Sequence, residues 1–418
     1  MSLLLRRGLK LPIESPPAEA GAPQLALTDE SALGAGFGRD FRVDPLVKPG
    51  DQVAQGAPLM RARRQPELAL TAPVGGKIAR LDLGAGRALS QIVIFRDADA
   101  DRREYATGDQ SPEALRALLL ETGLWTGFRS RPFGAFPASD QVAAAIFVTA
   151  HDTRPLAAPT RVALKGAEEF FARGIEALSR LTEGPVFVIQ DRGADLVPAS
   201  GRVRILRAGN LHPGGLAGGY IHRLRPASHE ARIWEIDAQE VAAIGSLLAE
   251  GLVPETRVVS VAGPGLARGR LVRCQIGADM RELVQGLLTP GPRAILSGAL
   301  PGALEARHLR LRDRQVTVVP RRGDQPRRHW FRAALSRAAR PMPVIPTIAA
   351  EQALAGGIPA MALMRALSSG DLEGAVALGA LSLLEEDMEL LDYVTDAEPG
   401  FKGLLRTALD EIAREEGA

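Results

Sequence analysis

The stretch FRVDPLVKPGDQVAQGAPLMRARRQPELALTAPVGGKIARL, residues 41–81, constrains the fold more than any other part of this 418-residue chain. Apolar Val43, Val47, Val53 and Leu59 are separated by Pro49-Gly50-Asp51 and Gly56, turn chemistry that recurs too often for a helix. LALTAPVGGKIARL repeats the scheme about a turn at Gly75-Gly76. Two such halves, related by pseudo-symmetry, predict a flattened sandwich of short strands with one hairpin tip between Met60 and Ala72.

The spacing VKxGDxVxxGxxL followed by APxxGxI resembles the β hammerhead of biotinyl and lipoyl carrier domains. Those domains hold their group as an amide on a lysine at the hairpin tip. Here the tip offers Arg61, Arg63, Arg64, Gln65 and Glu67, and no lysine. The module is therefore expected to be structural, or a docking face, rather than a carrier.

The length allows several domains with cores of their own. With 51 basic against 49 acidic residues, net charge is +2 and the arginines are scattered, so no nucleic-acid partner is expected. The single cysteine, Cys274, excludes an internal disulfide and a cysteine-ligated cluster or structural zinc site. The N-terminus MSLLLRRGLKLPI meets charge at Arg6 and does not read as a signal peptide. The apolar stretches near Ile358–Leu367 and Leu372–Leu384 are interrupted by Arg365, Asp371 and glycines, short of a membrane span.

From Ser111 the period changes. Ser111 caps a helix with Pro112 in its first turn, and PEALRALLLETG runs to a stop at Gly123. VAAAIFVTA, PVFVIQD, GRVRILRAG and RVVSVAG read as strands; LKGAEEFFARGIEALSRLTEG and AQEVAAIGSLLAEG, the second capped by Asp237, read as helices. This alternation predicts an α/β layer with a largely parallel sheet. RLVRCQIG, RAILSG, HLRLRD and QVTVVP, with DMRELVQGL as a lone helix, suggest a β-grasp plan. An Arg-rich linker, RRGDQPRRHWFR, leads to helices from about Ala350, the last with an apolar stripe of Leu404, Leu405, Ala408 and Ile412.

The expected fold is thus a multidomain α/β protein. It has an N-terminal segment (1–40), a lysine-less hammerhead (41–98), a Rossmann-like α/β domain (99–268), a β-grasp domain (269–322), and a linker with a helical domain (323–418). The Ala-, Leu- and Met-rich C-terminal helices, Met361 and Met364 included, are expected to tether the chain to partners.

No GxGxxG, P-loop, GxSxG or HExxH motif is present. The histidines of HPGGLAGGYIHRLRPASH fit no common metal spacing, and no metal site is expected. The pairs Gly214-Gly215 and Gly218-Gly219 suit either an anion approached by backbone amides or a turn packed on a neighbouring domain. GLWTGFRSRPFGAFP concentrates Trp125, Phe128, Phe133 and Phe136 in a chain with 4% aromatics, with Arg129 and Arg131 between them. It either receives a flat ring or an anion, or it is an internal plug whose arginines pair with carboxylates.

RGLKLPI, the lysine-less hammerhead, GLWTGFRSRPF, HDTRPLAA, HPGGLAGGYIH, RLVRCQIGA and LMRALSSGDLEGAVALGALSLLEEDMELLDYV together resemble the A subunit of the bacterial Na+-translocating NADH:quinone reductase. The resemblance implies a peripheral subunit on the cytoplasmic side of the inner membrane, within a six-subunit complex. That complex uses NADH, flavins, iron–sulfur centres and ubiquinone and exports Na+. It also implies a fold similar to the flavin-binding subunit of respiratory complex I and the C subunit of Rnf, whose GxGGAGFPT-type loop cradles flavin mononucleotide. In TGFRSRPFGAFP, Arg and Phe stand where those glycines would be, so no cofactor is expected on this subunit. The membrane subunit that holds quinone is the expected partner, and ubiquinone a possible contact. Trp125, Phe128, Arg129, Arg131, Phe133, His151 and Asp152 are the candidate quinone- or partner-facing residues, with His151 or Asp152 as proton source. The alternative is a stand-alone binding or scaffold paralogue of the same fold.

Overall fold

A computed structural model describes residue 5 and residues 7–16, 21–34, 41–321 and 346–415. The Arg-rich linker lies almost wholly outside the described residues.

Two small antiparallel sheets form the N-terminal sandwich. One pairs Glu30–Gly34, Leu89–Arg96, Gly76–Leu83 and Gln52–Val53; the other pairs Val43–Pro45, Pro58–Ala62 and Gln65–Thr71. Val43, Leu59, Leu70, Val74, Ile78 and Ile92 fill the space between them. Gly76, with φ of 147°, turns where a Cβ would meet the Phe95 carbonyl at 2.0 Å, so only glycine fits. The hairpin tip is Arg63-Arg64, exposed, where the spacing placed it. Glu30–Gly34, expected in a separate N-terminal segment, is a strand of this sandwich because its register buries Ala32 and Leu33 against Val93 and Ile92.

The α/β unit carries a five-stranded sheet in the order Val203–Arg207, Val186–Gln190, Ala145–Ala150, Ile233–Asp237, Arg129–Arg131. The first four are parallel, and the short Arg129–Arg131 strand closes one edge antiparallel to Ile233–Glu235. The Ser111 hydroxyl accepts from Ala114 N to start the helix Pro112–Glu121, and the Asp237 carboxylate accepts from Gln239 N to start Ala238–Glu250. Helices Glu168–Leu181 and Ala238–Glu250 pack closely through Gly174 and Gly245, where added Cβ atoms would lie 2.1 and 1.8 Å from carbonyls of the opposite helix. Gly218–Leu224 covers the other face with Tyr220 and Ile221.

The next unit is a six-stranded mixed sheet, ordered Gln24–Leu25, Arg270–Gln275, Thr256–Ala262, Gln315–Pro320, Arg293–Ser297, Leu304–Glu305. Thr256–Ala262, expected in the α/β domain, belongs here, paired with Arg270–Gln275 and Gln315–Thr317. HLRLRD forms no strand: the Ser297 hydroxyl accepts from Arg310 N and a turn closes from Asp313 N to the Arg310 carbonyl.

Helices Ile348–Ala353, Ala360–Ser369, Leu372–Ala377, Glu385–Thr395 and Phe401–Glu415 enclose a core of their own, with Leu363, Met364, Leu384, Leu391, Phe401, Leu405 and Leu409. The expected apolar tether is therefore corrected: the Ala-, Leu- and Met-rich side chains, Met364 at 2% exposure among them, face inward to each other. Leu9 and Leu11 pack on this core from the N-terminus, while Leu5 enters the core around Tyr220.

Candidate functional site

Gly123, at φ 74°, ends the helix Pro112–Glu121 and turns the chain into the aromatic–arginine segment. Trp125 and Phe128 are fully buried with Trp234, ring centroids 5.2–5.4 Å apart. The Trp125 indole donates to the Pro137 carbonyl at 2.8 Å, and the Arg116 guanidinium lies over both tryptophans, 5.1 and 5.6 Å from their rings. These two aromatics are core; placing them toward a ligand or partner is corrected, since they present no surface. Phe133, half-buried at φ 79°, does reach the cleft described below, with Arg232 over its ring at 5.2 Å.

Arg131 has no solvent exposure. Its Nη1 donates to Asp387 at 2.6 Å and to the Ser382 carbonyl at 2.9 Å, and its Nε to Glu235 at 3.0 Å. Asp387 also accepts from Leu384 N at 2.9 Å, so one carboxylate caps the helix Glu385–Thr395 and pins it to the edge strand. Arg129 pairs with Glu386 beside it. Burial opposes the charge of Glu386, but Arg129 and Arg131 outweigh it and hold its carboxyl well below the usual range. Burial, with Glu386 and Glu235 nearby, pushes Asp387 the other way, upward. This segment is thus a clamp joining the α/β unit to the C-terminal helices. Its partners Glu235, Glu386 and Asp387 were not singled out from the sequence; they lie 104 to 257 residues away along the chain.

Thr149, near the end of the strand Ala145–Ala150, and His151, Asp152 and Arg154 just after it line a cleft of about 1410 Å³ where all four units meet. Arg154 grips both Asp152 oxygens, at 2.6 to 3.1 Å, and against the effect of burial keeps that carboxyl below its ordinary value. Asp152 is therefore ionised and paired, which corrects its assignment as a proton source. The His151 Nε2 is buried without a hydrogen-bond partner among the described residues. The glycine loop is a packing device: Cβ atoms at Gly215 and Gly218 would meet the His151 carbonyl at 2.1 Å and the Asp387 carboxylate at 2.5 Å. His212, at the head of that loop, shares a hydrogen bond with the Thr153 hydroxyl at 3.3 Å, and burial drives its imidazole down to about 4.

The other cleft charges are mostly tied to one another. Glu240 takes Arg314 and, at 3.4 Å, Arg257; Arg310 holds Asp313 at 2.7 Å; Arg406 holds Asp410 at 2.7 Å. Arg312 donates to the carbonyls of Thr126 and Phe128, both at 3.0 Å, and burial lowers its guanidinium to about 9. Glu389 stands apart: among the described residues it has neither ion pair nor hydrogen bond, and burial, reinforced by Glu386, pushes its carboxyl up to about 7.

Away from the cleft, Glu30, Asp279 and His308 bring three potential ligand atoms within 4.8 Å, a convergence the spacing gave no sign of. Arg281 and Arg307 already neutralise both carboxylates, Arg307 reaching Asp279 at 3.2 Å and also pairing with Glu30, and the His308 Nδ1 faces Gln91 at 3.0 Å. The His308 Nε2 in turn lies 3.3 Å from the Glu30 carboxylate.

Two family descriptions match the chain: the NqrA N-terminal barrel-sandwich hybrid domain over residues 3–97, and the NqrA second alpha/beta domain over residues 110–253. The chain is similar to the A subunit of the Na(+)-translocating NADH-quinone reductase of Shewanella frigidimarina, 33% identical over 454 residues covering 99% of this chain and 100% of that protein. It is 33% identical to the same subunit of Neisseria meningitidis serogroup B, covering 98% and 99%, and 32% identical to that of Actinobacillus pleuropneumoniae serotype 3, covering 99% and 100%. Among solved structures, an air-oxidised NAD+-reducing NiFe-hydrogenase aligns with 73% of this chain and 64% of its own at 16% identity and a TM-score of 0.38. The second matched domain ends before Thr256, and the first includes Glu30–Gly34, in step with the strand pairings. The chain belongs to the NqrA family, the A subunits of the Na(+)-translocating NADH-quinone reductase.

Proposed function

We propose that this chain is a cofactor-free peripheral subunit of a Na+-translocating NADH-quinone reductase, docked at the cytoplasmic face of the membrane. There it supports quinone reduction by the membrane subunits. The carrying observation is the clamp: Arg131, fully buried and joined to Glu235 and Asp387, fills the segment where a flavin-binding relative of this fold would need glycine. A side chain tied by ion pairs on two elements does not yield to an isoalloxazine ring or its phosphate. The lysine-free hairpin tip at Arg63-Arg64 supports the same reading for amide-linked groups. No helix among the described residues is long and apolar enough to cross a membrane, so attachment rests on protein contacts.

Under this reading the cleft rim, with Arg129, Phe133, His151 and Asp152, faces the subunit that holds quinone. The test is assembly of the complex with and without this chain. Without it, NADH oxidation with an artificial electron acceptor persists while NADH-driven ubiquinone reduction and Na+ export fall away. Full quinone reduction by a complex lacking the chain would sink the proposal.

A further inference from the structure

Between the α/β unit and the six-stranded sheet lies a second cavity, of about 450 Å³, to which the C-terminal helices contribute no described residue. Leu164 and Phe170, at the approach to the helix Glu168–Leu181 and in its first turn, Ala243 on Ala238–Glu250, and Val253 ahead of the strand Thr256–Ala262 give it apolar walls. Its charge is one-sided. Lys165, Arg257 and Arg273 line it against a single carboxylate, Glu240, which Arg314 already holds. Arg257, 8% exposed, stands 3.4 Å from that carboxylate and donates to the Leu311 carbonyl at 2.6 Å, so this pair forms an inner wall shared with the cleft. Lys165 is exposed and Arg273 half-buried, which puts these two at the mouth. Neither has an ion-pair partner among the described residues; the Arg273 Nη2 donates instead to the Lys165 carbonyl at 3.2 Å. Ala167, also on the lining, begins the helix Glu168–Leu181 without a side-chain cap and adds the positive end of its dipole. Glu168 and Glu169, in that first turn, do not line the pocket. An inorganic anion here would leave the apolar walls wet, and a neutral hydrocarbon would cover two cations without a counter-charge. A molecule that carries both an anionic group and an apolar body satisfies both surfaces.

We propose that this pocket binds an acyl-chain anion, its carboxylate or phosphate headgroup held by Lys165 and Arg273 and its chain lying along Leu164, Phe170, Ala243 and Val253. The volume falls within the roughly 300–1,000 Å³ of small-molecule sites. The walls come from both units, so an occupied pocket braces the α/β unit on the six-stranded sheet and stabilises the folded chain by mass action. The site is independent of what the cleft itself receives. A free fatty acid and an anionic acyl lipid offer the same chemistry, and the experiment separates them.

The test uses the isolated full chain and decanoate kept below its micellar concentration. Calorimetry should show one saturable site, and saturation should raise the melting temperature. Acetate, which lacks the chain, and 1-decanol, which lacks the charge, should each bind at least about tenfold more weakly. Lys165→Gln, at an exposed side chain whose loss leaves the fold intact, should weaken decanoate about threefold, and adding Arg273→Gln should bring the loss to about tenfold, with 1-decanol unaffected. Ala243→Trp, which fills the pocket, should abolish decanoate binding while the chain still melts cooperatively. Phosphatidylglycerol vesicles that displace decanoate, less so from Lys165→Gln, identify a membrane lipid as the source of the anion. Vesicles that leave decanoate bound identify a free acid, and either result upholds the site. No saturable decanoate binding, equal affinity for 1-decanol, or affinity unchanged by both Lys165→Gln and a folded Ala243→Trp overturns the proposal.

Discussion

Replacing Arg131 with Met tests the clamp. The side chain is fully buried and donates to Glu235, Asp387 and the Ser382 carbonyl. Removing it leaves two carboxylates, 14% and 5% exposed, without their cation. Breaking a buried ion pair from one side costs roughly 3–5 kcal/mol when the abandoned charge stays ionised. Here the charges have an escape. Asp387 already has a raised pKa, and losing Arg131 raises it further. A carboxyl raised in the folded state destabilises that state at high pH, and the penalty fades as pH falls through the folded value toward the unfolded one. The destabilisation of Arg131→Met should therefore be full at pH 8 and much smaller at pH 5.5. Urea unfolding of the full chain at both pH values measures it, and hydrogen exchange should show the helix Glu385–Thr395 opening first. Arg131→Met with Asp387→Asn should recover part of the loss, since the second change removes the stranded charge. An unchanged midpoint at pH 8, or a loss equal at both pH values, would refute the reasoning.

Other expectations are simpler. Arg129→Met should cost less than Arg131→Met in the same urea titration, because its side chain is 18% exposed and solvent can screen Glu386. Cys274, buried and with its thiol raised to about 12, should stay unreactive to a disulfide reagent until urea unfolds the chain. Co-expression with biotin and lipoate ligases should add no mass, since Arg63-Arg64 carries no amine at the tip; added mass on Lys48 or Lys77 would contradict the hairpin placement. Glu389→Gln should melt above wild type at pH 8 and level with it near pH 4.5. A carboxyl raised to about 7 carries its penalty only above its unfolded value, growing to about 3 kcal/mol before solvent screening is allowed for.

Local chemistry was legible and long-range partnership was not. The Ser111 and Asp237 caps, the stop at Gly123 and the bare hairpin tip all depend on neighbours within a few residues, and the structure has each of them in place. Trp125 and Phe128 looked like a ligand wall because their cover, Trp234, lies about a hundred residues on, in a strand that carries no local mark of this pairing. The acidic partners of Arg129 and Arg131 were equally hidden. Glu386 and Asp387 sit in an ordinary acidic first turn of a helix, and only the tertiary packing turns that turn into half of a clamp. The strand Thr256–Ala262 ended an alternating α/β pattern in sequence, yet its edge was claimed by the hairpin with Arg270–Gln275. The run of Ala, Leu and Met near the C-terminus read as exposed because no partner was evident; five short helices folding on each other supply it.

The most direct measurement is affinity purification through a tag on this chain, co-expressed with the remaining subunits of the reductase, followed by activity and flavin assays. The account predicts that the tag retrieves a complex with NADH-dependent, Na+-stimulated ubiquinone reductase activity, and that this chain, released from it by denaturation or purified alone, is colourless. A chain that retrieves no other subunit, or one that purifies alone with a flavin spectrum surviving gel filtration, would contradict it.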